Sequence, residues 1–254
     1  MDLLNNLDII ILIFSAFITS SISAVLGMGG GIILLGIMAV IIPEGYKVIA
    51  LHGMVQLFSN SIRTYVFRNA IQVKLIKQFF IGAVIGVSLS IIILLMLINY
   101  FDVQTANEIK VEVLKPFIGL FIVWYLFLRG PKKEFFFNSF IPVGSIAGLS
   151  SIFVGAVGPL IAPFFLNKSL NKENIIANKA ASQMITHLSK IPLFIYFFSM
   201  DYTAELDVLI PLIIAVYMGT NFGKKILGFI PELLFKKLFK ITLFIIAIRL
   251  ILSY

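Results

Sequence analysis

Hydrophobic residues are grouped in ten runs, five before a basic segment near Arg129 and five after it. In each half the runs follow the order long, short, long, long, long. A helix needs about 20 apolar residues to cross a hydrocarbon core of about 30 Å. The long runs therefore predict membrane spans, and the short runs predict half-helices or re-entrant segments. The first half holds the runs 7–26, 32–42, 48–67, 79–100 and 113–128, and the second holds 135–154, 160–166, 174–198, 208–222 and 238–254.

The composition excludes a water-soluble globule. Of the 254 residues, 60% are hydrophobic and 13% are charged, and the mean hydropathy is +1.06. Soluble domains are about half apolar and about a quarter charged. The absence of cysteine also excludes disulfides, thiolate nucleophiles and cysteine metal sites. No hydrophilic stretch is long enough to fold separately, so we expect one all-α polytopic membrane domain.

The two halves match each other residue by residue, which indicates an internal duplication. Gly27, Gly30 and Gly31 fall on Gly155, Gly158 and Pro159 at an offset of 128 residues. After one deleted loop residue, Gln56, Ser59, Asn60 and Arg63 fall on Gln183, Thr186, His187 and Lys190. These matches predict two repeats, residues 1–130 and 131–254, which together form one membrane domain.

Basic residues are concentrated in a few connecting segments, and these predict the orientation in the membrane. Clusters lie at 68–77, 129–133, 167–179 and 224–240, whereas 102–112 and 201–207 are acidic. The net charge of +8 is thus explained by cytoplasmic loops rather than by nucleic-acid binding. Both chain ends are then outside, provided that each short run returns to its own side. An odd number of five elements per repeat predicts two inverted repeats, each of four spanning helices plus one short broken or re-entrant helix.

Acidic residues are absent from the predicted membrane interior. All 12 lie in loops or at the ends of spans. Cation pathways and carboxylate proton relays need Asp or Glu within the membrane, and membrane enzymes that handle pyrophosphate on magnesium need acidic clusters. These classes are excluded, and we expect no metal and no cofactor.

Cationic side chains do occur inside the predicted spans, where a charge is costly and indicates a functional site. Lys190 is followed by apolar and aromatic residues that leave it little access to headgroups. His187 lies on the same helical face, and it either binds a ligand or is a buried neutral imidazole. Arg63 either contributes to the site or extends to the cytoplasmic headgroups. His52 is a weaker candidate because no polar counterpart was found for it in the second half.

The glycine clusters at 27–31 and 155–158 each end a long run and begin a short one. Free backbone N–H groups at the start of a helix, together with its dipole, form an anion site. Such breaks are tolerated in membranes where they line a polar cavity. A close-packed turn between two helices is the alternative interpretation.

These motifs resemble those of the sulfite exporter TauE/SafE family. They are GMGGG at 27–31, GAVGPLIAP at 155–163, NKAASQ at 178–183 and THLSK at 186–190. The resemblance covers about residues 15–252, with departures at Gly36, His52-Gly53 and Val157. It implies a multi-pass permease of the bacterial inner membrane that moves sulfite, sulfonates or related small anions, generally outward.

The residues and the resemblance together favour a secondary transporter that exports sulfite or an organosulfonate and is not an enzyme. One repeat would rock against the other, and His187 or His52 would carry any coupled proton. A passive anion channel, a scaffold subunit and a membrane-embedded lipid enzyme stay open as alternatives, as do the substrate and the oligomeric state. The predicted substrate-binding residues are Gly29, Gly30, Gly31, Gln56, Ser59, Asn60, Arg63, Gly158, Pro159, Gln183, Thr186, His187 and Lys190.

Overall fold

The computed structural model describes residues 6–102, 120, 122–124, 127, 139–153, 157–166 and 170–252. Several sequence-based predictions fall elsewhere. Most of the predicted span 113–128, the basic linker 129–134, most of the acidic segment 102–112 and the glycine-cluster residues 154–156 lie outside the described residues.

The regular structure of the described residues is entirely helical. The boundaries agree with the predicted runs to within six residues, and the two short elements follow the glycine clusters as expected. Short 3₁₀ turns link some of the helices, including Arg68–Ala70, Ala162–Phe165 and Thr203–Glu205. The α-helices are α1 (Asn6–Leu26), α2 (Gly30–Ile41), α3 (Gly45–Val66), α4 (Val73–Phe101), α5 (Ile141–Phe153), α6 (Gly158–Ile161), α7 (Lys172–Phe198), α8 (Leu206–Gly228) and α9 (Glu232–Leu252).

Three segments of the described chain are long and apolar enough to cross a membrane: Asn6–Leu26, Val73–Phe101 and Thr203–Gly228. Helix α4 leaves Phe80, Ile85 and many other apolar side chains exposed. This exposure is expected of a helix that is surrounded by lipid. In contrast, α3, α7 and α9 are long but too rich in polar or charged residues to meet the same criterion. The prediction of four spans per repeat therefore stays a prediction, although the helical membrane architecture agrees with the composition.

Small residues allow the long helices to pair at backbone distance. The α4–α5 pair uses Gly82 and Gly144, where an added Cβ would meet the carbonyls of Ile141 and Phe79 respectively. The α1–α8 pair uses Gly219, which faces the Phe17 carbonyl in the same way. Each of these glycines begins a Gly-x-x-x-Gly sequence, the spacing that lets membrane helices approach closely. Both pairs are parallel, and each joins a helix before residue 130 to one after it.

A larger side chain at Gly144 is expected to destabilise the α4–α5 pair. The new Cβ would collide with backbone rather than with a movable side chain, and overpacking of this kind costs about 1–3 kcal/mol. We expect Gly144→Leu to lower the apparent melting temperature of the detergent-solubilised protein, followed by the loss of its size-exclusion peak on heating. Gly53→Ala is the matched control, because a Cβ there meets nothing within 4 Å; equal melting temperatures would contradict this account of the interface.

Basic and acidic helix ends lie on opposite faces of the protein. On the face that we call the basic face, Lys224 donates to the Val66 carbonyl at 2.8 Å and Lys172 donates to the Leu227 carbonyl at 2.9 Å. On the opposite, acidic face, Lys47 pairs with Glu205 at 2.6 Å. Because α8 runs from the acidic to the basic face and α1 is parallel to it, the described chain starts on the acidic face. It also ends there, since α9 starts beside Lys224 and runs back.

Four of these helices form two hairpins, which enter the protein from opposite faces. The first hairpin, α1 and α2, comes from the acidic face and returns to it. The second hairpin, α5 and α6, comes from the basic face, because α5 is parallel to α4, and the chain is back on that face when α7 begins. The hydrophobic core is divided to match: one cluster joins α1 and α2 to α8, and the other joins α5 and α6 to α4 and α9. Helix α3 belongs to the first of these clusters, whereas α7 contributes residues to both.

Candidate functional site

Helices α3 and α7 pack antiparallel and carry the polar side chains of the interior. The rings of His52 and His187 lie edge to face with centroids 6.5 Å apart. Where α3 ends and α7 begins, the carbonyl of Ala70, just beyond α3, accepts hydrogen bonds from the side-chain amides of Asn174 and Asn178 at 2.8 and 3.3 Å. A capping box at Asn171 fixes the start of α7. The polar faces of both helices are thereby directed towards the tips of the two hairpins.

The hairpin tips and the two polar helices enclose one small cavity of about 30 Å³. A buried water needs about 10–15 Å³ of cavity space measured in this way, so the cavity in this conformation has room for about two waters, and an oxyanion of four or five atoms requires its walls to move apart. The lining residues are Ser23, Met28, Gly29, Gly31, Ile32, His52, Gln56, Arg63, Gly158, Pro159, Lys179, Gln183 and His187. Residues from both predicted repeats therefore share a single site.

The first glycine cluster divides its work between turning, packing and lining the cavity. Gly29 has φ +96°, a backbone conformation that favours glycine, and no side chain caps the start of α2 that follows it. Gly30 packs so closely on the Thr19 carbonyl of α1 that a Cβ would clash. Gly31 faces the side chain of Gln56, and Gly158 faces that of Gln183. The close-packed turn is thus seen at Gly30, whereas anion binding by this cluster stays a prediction.

Arg63 is buried and held inward, so the extension to the headgroups that the sequence left open does not occur. Its side chain is 2% exposed. The guanidinium donates to Ser59 Oγ at 2.9 Å and to Asn60 Oδ1 at 3.3 Å, one turn back along α3. Its Nε is buried and has no hydrogen-bond partner. Arg63 therefore brings a positive charge and a donor to the cavity wall.

Lys179 lies in the cavity wall, although the sequence analysis placed it in a basic loop, and that placement was wrong. It lies two turns inside α7, is 2% exposed and lines the cavity. Its Nζ donates to the Gly27 carbonyl at 2.9 Å and to Gln183 Oε1 at 2.8 Å. The offset of 127 residues that pairs Gln56 with Gln183 also pairs His52 with Lys179. That offset was a signal that could have identified Lys179, and it also corrects the statement that His52 has no polar counterpart.

The two histidines lie together in the site. His52 Nε2 is hydrogen-bonded to the Gly31 carbonyl at 2.7 Å, and His187 lines the same cavity. The Nδ1 atom of each ring is buried without a partner. The structure thus places His52, the weaker candidate from sequence, as close to the cavity as His187.

Several predicted site residues lie behind the cavity wall instead of in it. Ser59 and Asn60 orient Arg63, while the Thr186 hydroxyl donates to the Gln183 carbonyl at 2.9 Å. Lys190 is buried at 2% exposure but is not a lining residue, and neither is Gly30. Sequence reasoning missed Ser23, Met28 and Ile32, whose ordinary small or apolar side chains give no signal. Ser59, Asn60 and Thr186 therefore form hydrogen bonds to Arg63 and Gln183, which do line the cavity.

The site combines donors and positive charge without an acidic partner nearby. Among the residues that the structure describes, no buried side chain is a carboxylate, and no three His, Asp or Glu side chains meet where a metal ion could be held. Buried charges in an apolar interior need a compensating partner. An anion that accepts from Arg63, Lys179 and the start of α2 would supply both the charge and the acceptors.

Comparison with known proteins agrees with this chemistry. A search of curated proteins and a search of solved structures find no match to the chain. A family model described as sulfite exporter TauE/SafE matches residues 12–250, nearly the whole length. The family that the sequence motifs resemble is therefore confirmed, and membership of it implies a membrane transporter. The chain belongs to the sulfite exporter TauE/SafE family.

Proposed function

We propose that this protein is a secondary transporter that exports a small oxyanion, sulfite or an organosulfonate, through the cavity between α3 and α7. One observation carries the proposal: Arg63 and Lys179, from different halves of the chain, line a buried cavity. Both side chains donate hydrogen bonds to neutral oxygens, those of Ser59 and Asn60 for Arg63 and those of Gly27 and Gln183 for Lys179. An anion is the ligand that balances such a site, and Gln56, Gln183 and the glycine amides add hydrogen bonds to its oxygens.

An internal inverted duplication, with repeats at 1–130 and 131–254, supports transport by alternating access. Helices related by a twofold axis in the membrane plane must run antiparallel, as α3 and α7 do. The hairpins with tips at Gly29–Gly31 and Gly158–Pro159 approach one cavity from opposite faces. With the basic face in the cytoplasm of a bacterial cell, both ends of the chain lie outside the inner membrane.

The helix packing favours a transport motion in which the parts that move against each other are not the two halves of the sequence. The pairs α1–α8 and α4–α5 each cross the predicted repeat boundary at backbone distance, so one repeat cannot rock against the other without separating them. We propose that the two core clusters rock instead, with α1, α2 and α8 in one body and α4, α5, α6 and α9 in the other. The site between them would open to each face in turn.

The paired histidines are the proposed route for any coupled proton. His52 and His187 line the cavity, and imidazole is the side chain that changes charge near neutral pH. Proton coupling through them stays a prediction. A passive anion channel is the alternative function, and the efflux measurement described below distinguishes it from a carrier.

Sulfite efflux from proteoliposomes tests the proposed function. We expect saturable efflux that is accelerated by external sulfite, as a carrier requires and a channel does not. Lys179→Ala should lower this efflux about tenfold or more, because Lys179 is a buried basic residue that lines the cavity. Lys225→Ala, which removes an exposed lysine on the basic face, should leave efflux unchanged. Sulfite efflux from Lys179→Ala at the wild-type rate would overturn the assignment of this site.

A further inference from the structure

The two basic side chains that line the cavity differ in what holds them. Arg63 donates to two side chains of its own helix, Ser59 and Asn60. Lys179 donates to Gln183 of its own helix and also reaches from α7 to the Gly27 carbonyl of the first hairpin. A lysine ammonium is a compact charge with three donors on a flexible stem. It can therefore exchange the Gly27 carbonyl for an oxygen of a bound anion with a small movement.

Charge balance sets the number of negative charges that the site suits. Lys179 donates to a backbone carbonyl and to the amide oxygen of Gln183, which satisfy N–H groups but carry no net charge. No acidic side chain is buried in the described part of the chain. Two cations that face one cavity in a low-dielectric interior are neutralised by a ligand with two negative charges, and only half neutralised by a ligand with one.

We propose that Lys179 is the specificity-determining residue of this site, and that with Arg63 it makes the site select compact doubly charged oxyanions over singly charged ones. This inference rests on the proposed function and narrows its substrate class. The small volume of the cavity favours a compact anion over a bulky one. Gly31 and Gly158 face Gln56 and Gln183 so closely that Cβ atoms there would lie 3.0 and 2.5 Å from the amide groups. A substrate with a long organic tail would have to displace both hairpin tips.

Sulfate and methanesulfonate are the matched probes for this inference. They share a tetrahedral sulfur with three oxygens, and in methanesulfonate a methyl group replaces the fourth oxygen and one negative charge of sulfate. Their hydration free energies also differ, but that difference belongs to the ligands and cancels when one protein variant is compared with another. The measured quantity is the Kd for methanesulfonate divided by the Kd for sulfate, obtained by calorimetry on the purified full chain in detergent.

The wild-type protein is expected to bind sulfate at least about tenfold more tightly than methanesulfonate, and Lys179→Met should reduce that ratio about tenfold. Methionine keeps the length of the side chain and removes the charge. Lys179→Gln is a second variant, whose amide can still donate to the Gly27 carbonyl, and it should reduce the ratio similarly. Lys179→Arg should keep the wild-type preference, and so should Lys225→Met, which removes an exposed lysine.

Two outcomes would overturn the inference. One is a wild-type protein that does not prefer sulfate. The other is a loss of affinity for both anions by the same factor in Lys179→Met and Lys179→Gln, which indicates a structural role only. Because the ratio is independent of the active fraction, incomplete folding of a variant does not imitate the expected result. A wild-type protein that binds neither anion and does not transport sulfite would contradict the proposed function itself.

Discussion

Replacing Arg63 with methionine is expected to lower the rate of anion transport about hundredfold. The guanidinium is buried and lines the cavity, with its Nε free to donate to a ligand. Removing one partner of a buried, hydrogen-bonded charge pair costs about 2–5 kcal/mol, and the middle of that range corresponds to about two orders of magnitude. The measurement is the initial rate of sulfite counterflow in proteoliposomes, normalised to reconstituted protein.

The fold should tolerate this change better than the function does. The hydrogen bonds of Arg63 to Ser59 and Asn60 lie within α3, and methionine fits an apolar helix-lined space. We expect a monodisperse size-exclusion peak and a melting temperature close to that of wild type. Arg63→Lys should recover part of the transport because it restores the charge without the planar fork. If Arg63→Met transports normally, the cavity is not the binding site.

Gly31→Leu is expected to abolish transport by filling the cavity. A Cβ at this position would lie 3.0 Å from Gln56 Oε1, and the rest of a leucine side chain would extend into a space of about 30 Å³. Gly31 lies in the first turn of α2, where leucine is a good helix former. The expected result is a folded protein that neither binds nor transports sulfite, measured by calorimetry and by counterflow.

Gly36→Ala is the matched control on the same helix. A Cβ there would meet only the end of the flexible Arg249 side chain, at 2.9 Å, so that side chain can move aside. Transport by Gly36→Ala should be close to wild type. Sulfite binding that persists in Gly31→Leu would show that the ligand lies elsewhere in the protein.

The interleaved packing has a consequence for how such transporters are divided. The sequence suggests two halves, yet the glycine contacts bind α1 to α8 and α4 to α5 across the boundary. Each core cluster is thus built from helices of both halves. The two core clusters therefore do not coincide with the two predicted repeats.

The sequence by itself determined the class of protein, the order of long and short helices and most of the chemistry of the site. Long runs of apolar residues predict helices in lipid, because backbone N–H and C=O groups there must form their hydrogen bonds within the segment. The polar matches led to Gln56, Arg63, Gln183 and His187, all of which line the cavity. Such residues are conspicuous because a polar side chain in a membrane is costly and rarely accidental.

Only the tertiary structure decided which of these side chains meet. Lys179 looked like a loop lysine because the start of α7 is polar, and its role depends on the Gly27 carbonyl, 152 positions away. Ser59 and Asn60 looked like ligands, but they orient Arg63. Sequence spacing gives the face of a helix on which a residue lies, whereas the partner of that face is set by how glycine contacts and the hairpins bring distant segments together.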